Sequence, residues 1–206
     1  FKGLAPWMSR LPGGLIHVNV VGCALFAAIS GSSAATVATV GKMSIPELRK
    51  RNYPEKLLLG SLAGSGTLGL LIPPSIILII YGVTVQESIA KLFIAGIIPG
   101  IMIAIFFMFY VIGWSMLNKN IMPKVEETFS LSQKIKQSGQ LIPVIVLIAA
   151  VIGSIYVGIA TATEAASLGV VGALILSFLQ KSLNKETFKL SLLGATKTSC
   201  MIAFIL

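Results

Sequence analysis

Serine and glycine residues interrupt an apolar stretch of this chain and create its first candidate binding site. The stretch Ala28-Ile29-Ser30-Gly31-Ser32-Ser33-Ala34-Ala35-Thr36 lies between apolar residues 17–28 and 36–41. Neither flank has the roughly 20 residues that a membrane-spanning helix needs. Irregular backbone at membrane depth is tolerated only where protein buries it or it lines a cavity. We therefore interpret residues 15–41 as a re-entrant helical hairpin with its tip at residues 30–33.

The chemistry of such a tip suits small ions. Carbonyls and hydroxyls at the end of one half-helix favour a cation, and free N–H groups at the start of the next favour an anion. Gly31 lies between the two half-helices and is a candidate for substrate contact or gating.

A second interruption lies in the apolar run 57–83, whose middle reads Gly64-Ser65-Gly66-Thr67-Leu68-Gly69-Leu70-Leu71-Ile72-Pro73-Pro74-Ser75. Proline lacks an N–H and clashes with the carbonyl four residues earlier. Pro73 therefore frees the carbonyl of Gly69, and Pro74 frees that of Leu70. The pattern predicts a broken transmembrane helix with free carbonyls near mid-depth.

These two interruptions together indicate an ion site. Paired broken helices near the bilayer midplane mark the ion and substrate sites of secondary transporters. The alternative is a Ser/Gly packing interface beside a proline kink, because small residues also mediate close helix contacts. The pairing, with a double proline in one member, favours the site.

Glu164 is an acid between later apolar runs, in the sequence Gly158 to Ala166. Intramembrane acids are functional by default. However, Thr161-Ala162-Thr163-Glu164 also has the spacing of a helix capping box. Thr161, Thr163 and Glu164 are thus candidates for substrate contact or gating, and a cap explains Thr161 and Glu164 equally well.

Enzymatic functions find little support in the sequence. His17 is the only histidine, and at the hairpin's base it is poorly placed to activate a serine at the tip. There is no GxxxxGK[ST] phosphate loop and no Cys/His cluster. Cys23 and Cys200 lie in apolar sequence and are expected to be free thiols. We expect no catalytic residues and no organic cofactor.

Composition indicates an all-α polytopic membrane protein. Of 206 residues, 55% are hydrophobic and 11% charged, against about 25% charged in soluble domains. The net charge of +9 does not indicate nucleic-acid binding, because the lysines and arginines lie in the connections between apolar runs. This distribution is the positive-inside bias of cytoplasmic loops.

The basic connections fall on one side of a consistent topology. The chain begins with a cytoplasmic interfacial segment (1–14), the re-entrant hairpin (15–41), a cytoplasmic loop (42–56) and the broken transmembrane helix (57–83). A transmembrane helix (91–117) and a cytoplasmic connector (118–140) follow. Two transmembrane segments around the 158–164 break (141–179) and the start of a further transmembrane helix (190–206) complete the prediction. Pro46 and Pro54 each predict the start of a helix. The chain has no initiator Met and ends within an apolar run, so we expect a piece of a longer protein.

Several motifs, in this order, resemble the large membrane subunit of TRAP (tripartite ATP-independent periplasmic) transporters. They are Leu11-Pro12-Gly13-Gly14-Leu15-Ile16-His17-Val18-Asn19-Val20, Ser30 to Thr36, Tyr53-Pro54-Glu55-Lys56 and Gly66 to Ser75, with Gly158 to Ala166 similar to a further motif. The resemblance covers nearly the whole chain.

The resemblance implies a sodium-driven importer of the bacterial inner membrane with an elevator fold of two inverted repeats. This chain would hold the first repeat and the start of the second. The resemblance also implies a small membrane subunit and a periplasmic binding protein that delivers an organic acid, such as a C4-dicarboxylate or a sialic acid. Carried over, a sodium site would use Ser30, Ser32, Ser33, Gly69, Ile72 and Pro74, to which the proline argument adds the carbonyl of Leu70.

Two other functions compete with this one. The first is a different elevator-type ion-coupled anion symporter that works without a binding protein. The second is a membrane scaffold that transports nothing, in which the serines and prolines only pack helices.

Overall fold

The computed structural model describes residues 3–123 and 138–205, and all of its regular elements in these stretches are helices. The predicted all-α class is confirmed for this part of the chain. Most of the predicted connector, residues 124–137, lies outside the described residues. In chain order the helices are α1 (Ala5–Met8), α2 (Ile16–Ser30), α3 (Ser33–Lys50), α4 (Glu55–Gly66), α5 (Ile76–Val85), α6 (Ile89–Leu117), α7 (Ile142–Tyr156), α8 (Ala162–Leu179) and α9 (Lys185–Ile205), with 3-10 turns at Thr67–Leu70 and Gly139–Leu141.

The chain divides into two compact units, Phe1–Ile142 and Pro143–Leu206. In the first unit α2 is the central helix and packs against α3, α4 and α6, while α5 packs against α6. Helix α2 has 15 residues, so it extends about 22 Å, less than the ~30 Å of a bilayer's hydrocarbon core. By length it cannot cross a membrane alone.

Helix α3 differs from the prediction at its far end. The hairpin was expected to end at Gly41 and a new helix to start at Pro46, but α3 continues to Lys50 with Pro46 inside it. Proline costs an internal helix one hydrogen bond. Val40, Ser44 and Leu48 are buried along α3 on both sides of Pro46, so packing keeps the helix continuous. Pro54, by contrast, does precede a helix, since it caps α4.

Helix α6 is long and apolar enough to cross a membrane, and α8 is the other described helix that meets this criterion. Gly96 and Gly100 lie four residues apart on α6, and small residues at this spacing form a face against which neighbouring backbone can pack closely. A Cβ atom at Gly96 would lie 2.8 Å from the Leu71 carbonyl oxygen, and one at Gly100 would lie 2.9 Å from Ile72 Cγ1. The two glycines therefore let α6 lie directly against the unwound segment between α4 and α5.

A buried polar network joins α2 to α4. The Asn19 Nδ2 donates to Ser61 Oγ at 3.1 Å and to the Leu58 carbonyl at 3.4 Å, and Ser65 Oγ donates to the Asn19 carbonyl at 3.5 Å. Asn19 and Ser65 are fully buried. Interhelical hydrogen bonds of this kind contribute about 0.6–2 kcal/mol in membrane proteins, so the network helps to fix the hairpin on the broken helix.

The second unit contains α7, α8 and α9. Gly169 and Gly172 of α8 face α7: a Cβ at Gly169 would lie 3.4 Å from Val151 Cγ2, and one at Gly172 would overlap the Leu147 side chain. Helix α9 begins at Lys185, five residues before the predicted boundary at residue 190.

Candidate functional site

The tip of the hairpin is a two-residue break between α2 and α3. Gly31 has φ of 59° and ends α2 in the left-handed conformation, where its N–H donates to the Ala27 carbonyl at 3.0 Å. Glycine adopts this conformation without the strain of a side chain. Ser32 is extended and forms the N-cap of α3, with its hydroxyl accepting from the Ala35 N–H at 3.5 Å. The chain thus interrupts its helix at the residues predicted to form the tip.

Hydroxyl groups hold the tip together. The Thr36 hydroxyl donates to the Ser32 carbonyl at 2.7 Å, and the Ser30 and Thr36 hydroxyl oxygens lie 2.9 Å apart. The Ser32 N–H donates to Ser30 Oγ at 3.4 Å. Thr36 is fully buried, so its hydroxyl fixes both the Ser30 side chain and the Ser32 backbone. This role of Thr36 was not predicted, although its spacing of four residues from Ser32 places the pair on adjacent helix turns.

The second break lies between α4 and α5. The chain tightens into the 3-10 turn Thr67–Leu70, and the Ile72 N–H donates to the Leu68 carbonyl at 2.8 Å. The Gly69 carbonyl is then without its usual helical donors, because Ile72 is engaged and Pro73 has no N–H. The Leu70 carbonyl would need donors at Pro73 and Pro74 and has neither.

A side chain partly compensates for this loss. Ser75 is fully buried, and its hydroxyl donates to the Leu70 carbonyl at 2.6 Å. A carbonyl oxygen has a second lone pair, so Leu70 can still accept one further bond or bind a cation. This role of Ser75 was not predicted from the sequence, although its position directly after two prolines indicates a side chain close to the freed carbonyls.

The two breaks touch each other through their backbones. The Ile76 N–H, at the start of α5, donates to the Gly31 carbonyl at 3.2 Å. A Cβ at Gly31 would lie 2.7 Å from the Pro74 carbonyl oxygen, and one at Gly69 would lie 2.9 Å from the Ser32 carbonyl oxygen. Contacts this close are possible only because both positions are glycine.

The predicted site residues therefore occupy two adjoining segments. Gly31 meets Pro74, and Gly69 meets Ser32 and Ser33. Ile72 belongs to the same break, but its side chain lies against Gly100 of α6, so only its backbone is placed to serve the site. What the arrangement offers is a set of neutral backbone and hydroxyl oxygens, a ligand type that suits a hard, monovalent cation.

Comparison with known proteins decides the family. Residues 4–206 match the family described as the tripartite ATP-independent periplasmic transporter, DctM component. The chain belongs to this TRAP transporter family. It is 36% identical over 209 residues to a C4-dicarboxylate TRAP transporter large permease protein of Rhodobacter capsulatus, covering 94% of this chain and 47% of that protein.

Two further relatives agree with this assignment. A C4-dicarboxylate TRAP large permease of Pseudomonas aeruginosa is 34% identical, over 97% of this chain and 46% of its own length. The sialic acid TRAP transporter permease protein of Haemophilus influenzae is 34% identical, over 97% of this chain and 32% of its own length. The chain spans about half the length of the large permeases it matches, and the family is one of transport proteins.

In this TRAP chain the Glu164 region forms the predicted capping box. The Glu164 carboxylate accepts from the Thr161 N–H and from the Thr161 hydroxyl, both at 2.8 Å, and Thr161 Oγ1 accepts from the Glu164 N–H at 3.3 Å. Thr161 and Glu164 therefore have a structural role, which is to cap the start of α8. The Thr163 carbonyl accepts from the Ser167 hydroxyl at 3.2 Å, an ordinary bond within a helix.

His17 is not placed to activate a serine of the tip. Its Nε2 lies 2.8 Å from the Pro12 carbonyl oxygen and acts as the donor there. His17 and Ser30 lie near opposite ends of α2, about 20 Å apart along the helix axis. The separation excludes a direct hydrogen bond between them.

Proposed function

We propose that the full protein imports an organic acid together with sodium, and that the two helix breaks form one sodium site. The residues that would bind the ion are Ser30, Ser32 and Ser33 at the hairpin tip and the backbone of Gly69, Leu70, Ile72 and Pro74 in the broken helix. The observation that carries the proposal is the backbone hydrogen bond from Ile76 to Gly31, which joins the two interruptions.

The available ligands support a monovalent rather than a divalent ion. The segments supply carbonyl and hydroxyl oxygens, and the described residues of the two breaks include no carboxylate. Calcium and magnesium sites usually draw on acidic side chains. The carbonyls of Gly69 and Leu70 have lost both helical donors, and a bound cation would compensate for that loss without needing a charged ligand.

A site between two breaks also suggests how sodium would be coupled to movement. Helices α2, α3 and α4 pack against one another, so the hairpin and the first half of the broken helix would move as one body, as an elevator mechanism requires. An ion that binds both breaks would stabilise the contact between them, and its loss would allow the hairpin and the broken helix to separate.

Substrate and partners are inferred from the family. The relatives described above are named for C4-dicarboxylates and sialic acid, and we propose an organic acid of this kind, delivered by a periplasmic binding protein. A small membrane subunit would complete the transporter in the bacterial inner membrane.

The test is uptake by the full-length protein with its small subunit, reconstituted in liposomes. We expect accumulation of a C4-dicarboxylate or sialic acid only with an inward sodium gradient and only when a binding protein is added. Equal uptake with potassium in place of sodium would refute sodium coupling. Uptake of free substrate without any binding protein would instead favour a simpler elevator-type symporter.

A further inference from the structure

A cavity of about 420 Å³ lies far from the proposed sodium site, at the opposite end of the hairpin. Its walls come from the loop before α2, from the connection between α3 and α4, and from the end of α6. The lining residues that matter here are Arg10, Gly13, Tyr53, Ser115, Lys119 and Met122.

The strongest indication of a ligand is Ser115. This residue is only 4% exposed, it lines the cavity, and its hydroxyl has no hydrogen-bond partner among the described residues. A buried polar group without a partner has lost its hydrogen bonds to water and gained none in return, which is unfavourable. A ligand that accepts a hydrogen bond from Ser115 Oγ would remove this cost.

Tyr53 adds a second buried donor. Its hydroxyl oxygen accepts from the Leu15 N–H at 3.0 Å, which leaves the hydroxyl proton to be donated elsewhere. Burial raises the pKa of Tyr53, against smaller opposing effects from the Leu15 N–H and the charge of Arg51. The hydroxyl therefore stays protonated at neutral pH and remains a donor.

Two positive charges complete the lining. Arg10 and Lys119 both border the cavity, and neither forms an ion pair with a residue of 3–123 or 138–205. No carboxylate belongs to the cavity lining. The carboxyl end of a helix carries partial negative charge, and α6 ends at Leu117. Lys119 lies just beyond that end, where it offsets the charge.

We propose that this cavity binds a phosphate group, with Ser115 and Tyr53 as buried donors and Arg10 and Lys119 as the charged ligands. Two sources share this chemistry: the headgroup of an anionic phospholipid and free inorganic phosphate. Basic pockets between transmembrane helices on the cytoplasmic side commonly hold anionic headgroups, and this end of the hairpin is the one predicted to face the cytoplasm.

The first experiment separates the two sources in the full-length protein. Native mass spectrometry counts molecules of phosphatidylglycerol and of phosphatidylcholine retained after purification, and calorimetry measures binding of inorganic phosphate. Selective retention of phosphatidylglycerol assigns the site to a lipid. Saturable phosphate binding without lipid selectivity assigns it to the free ion.

The second experiment tests the residues. Arg10→Gln combined with Lys119→Gln should weaken binding at least about tenfold, because hydrogen bonds from charged donors to a phosphate are stronger than those from neutral donors. Ser115→Ala should weaken it several-fold without removing a charge. The control is Lys50→Gln combined with Lys56→Gln, which removes two charges from exposed side chains that do not line the cavity. All of these variants should be folded, as judged by unchanged elution and helix content.

Two results would overturn the proposal. One is that neither phosphatidylglycerol nor phosphate binds selectively to the wild-type protein. The other is that the control pair weakens binding as much as the Arg10 and Lys119 pair does. Binding would then depend on the overall surface charge and not on the cavity.

Discussion

Gly69 is the residue at which the contact between the two breaks leaves no room for a side chain. A Cβ there would lie 2.8 Å from the Ser32 carbonyl carbon and 2.9 Å from both the Ser32 oxygen and the Ser33 nitrogen. All three are backbone atoms, which cannot rotate away as the end of a side chain can. The proposed site therefore depends on the absence of one methyl group.

Replacing Gly69 with alanine should force the hairpin tip away from the broken helix. Overpacking of this kind costs about 1–3 kcal/mol, which corresponds to roughly 5–150-fold in affinity. We expect the sodium concentration for half-maximal uptake to rise by a factor in this range. Gly60→Ala is the matched control, because a Cβ at Gly60 meets nothing within 4 Å. An equal sodium concentration for half-maximal uptake in the two variants would show that the contact at Gly69 does not matter for sodium binding.

The Thr36 hydroxyl provides a second test at the level of single residues. Thr36→Val keeps the shape of the side chain but removes its bonds to Ser30 Oγ and the Ser32 carbonyl. Each lost hydrogen bond costs about 0.5–1.5 kcal/mol, so thermal unfolding should occur at lower temperature and sodium should stabilise the protein less. Thr39→Val on the same helix should change neither quantity. If sodium stabilises Thr36→Val as much as the wild type, the Thr36 hydroxyl does not support the sodium site.

Helix α6 supports the proposed site indirectly, because it packs against the unwound segment between α4 and α5. Gly96 faces the Leu71 carbonyl, and Gly100 faces Ile72. Transmembrane helices approach each other closely where glycine replaces larger residues. Here Gly96 and Gly100 let α6 approach a segment that is not helical.

Enlarging α6 at this face should disturb the break without touching the hairpin. Gly96→Ala places a methyl group 2.8 Å from the Leu71 oxygen, and we expect a loss of about 1–3 kcal/mol in stability and slower uptake. Gly113→Ala, on the same helix, meets nothing within 4 Å and should behave as wild type. Both would be compared by thermal unfolding and by initial uptake rates. Full activity of Gly96→Ala would show that α6 does not constrain the break.

Variants at the start of α8 distinguish a structural role of Glu164, as part of the helix cap, from a functional role in gating. Glu164→Gln keeps an acceptor for the Thr161 N–H but removes the charge, so the cap predicts uptake within about twofold of wild type. Thr161→Val removes the N-cap and should cost about 0.5–2 kcal/mol in stability. Loss of uptake in Glu164→Gln with normal stability would instead support the gating role.

Along the whole chain, the helix breaks were predicted from the sequence, but not every helix end was. Proline lacks an N–H wherever it occurs, and therefore Pro73 and Pro74 predicted the second break correctly. The rule failed at Pro46, where burial of Ser44 and Leu48 holds α3 together. Local chemistry predicts a lost hydrogen bond, whereas tertiary packing decides whether the helix continues.

The contact between the breaks was also only partly predictable. The paired interruptions, and then the resemblance to TRAP permeases, predicted that the hairpin and broken helix form one site, but the bond from Ile76 to Gly31 depends on how two distant segments pack. The supporting hydroxyls of Thr36 and Ser75 were missed for the same reason. Serine and threonine are common in membrane helices, and only burial shows which of them hold the backbone.

Equilibrium binding of radioactive sodium to the purified full-length protein measures whether the two breaks bind the ion. The double variant Ser32→Ala with Ser33→Ala should bind one sodium ion fewer than wild type, or bind it at least about tenfold more weakly. Ser88→Ala, an exposed serine outside both breaks, should bind as wild type. Unchanged sodium binding in the double variant and in Gly69→Ala would contradict the account.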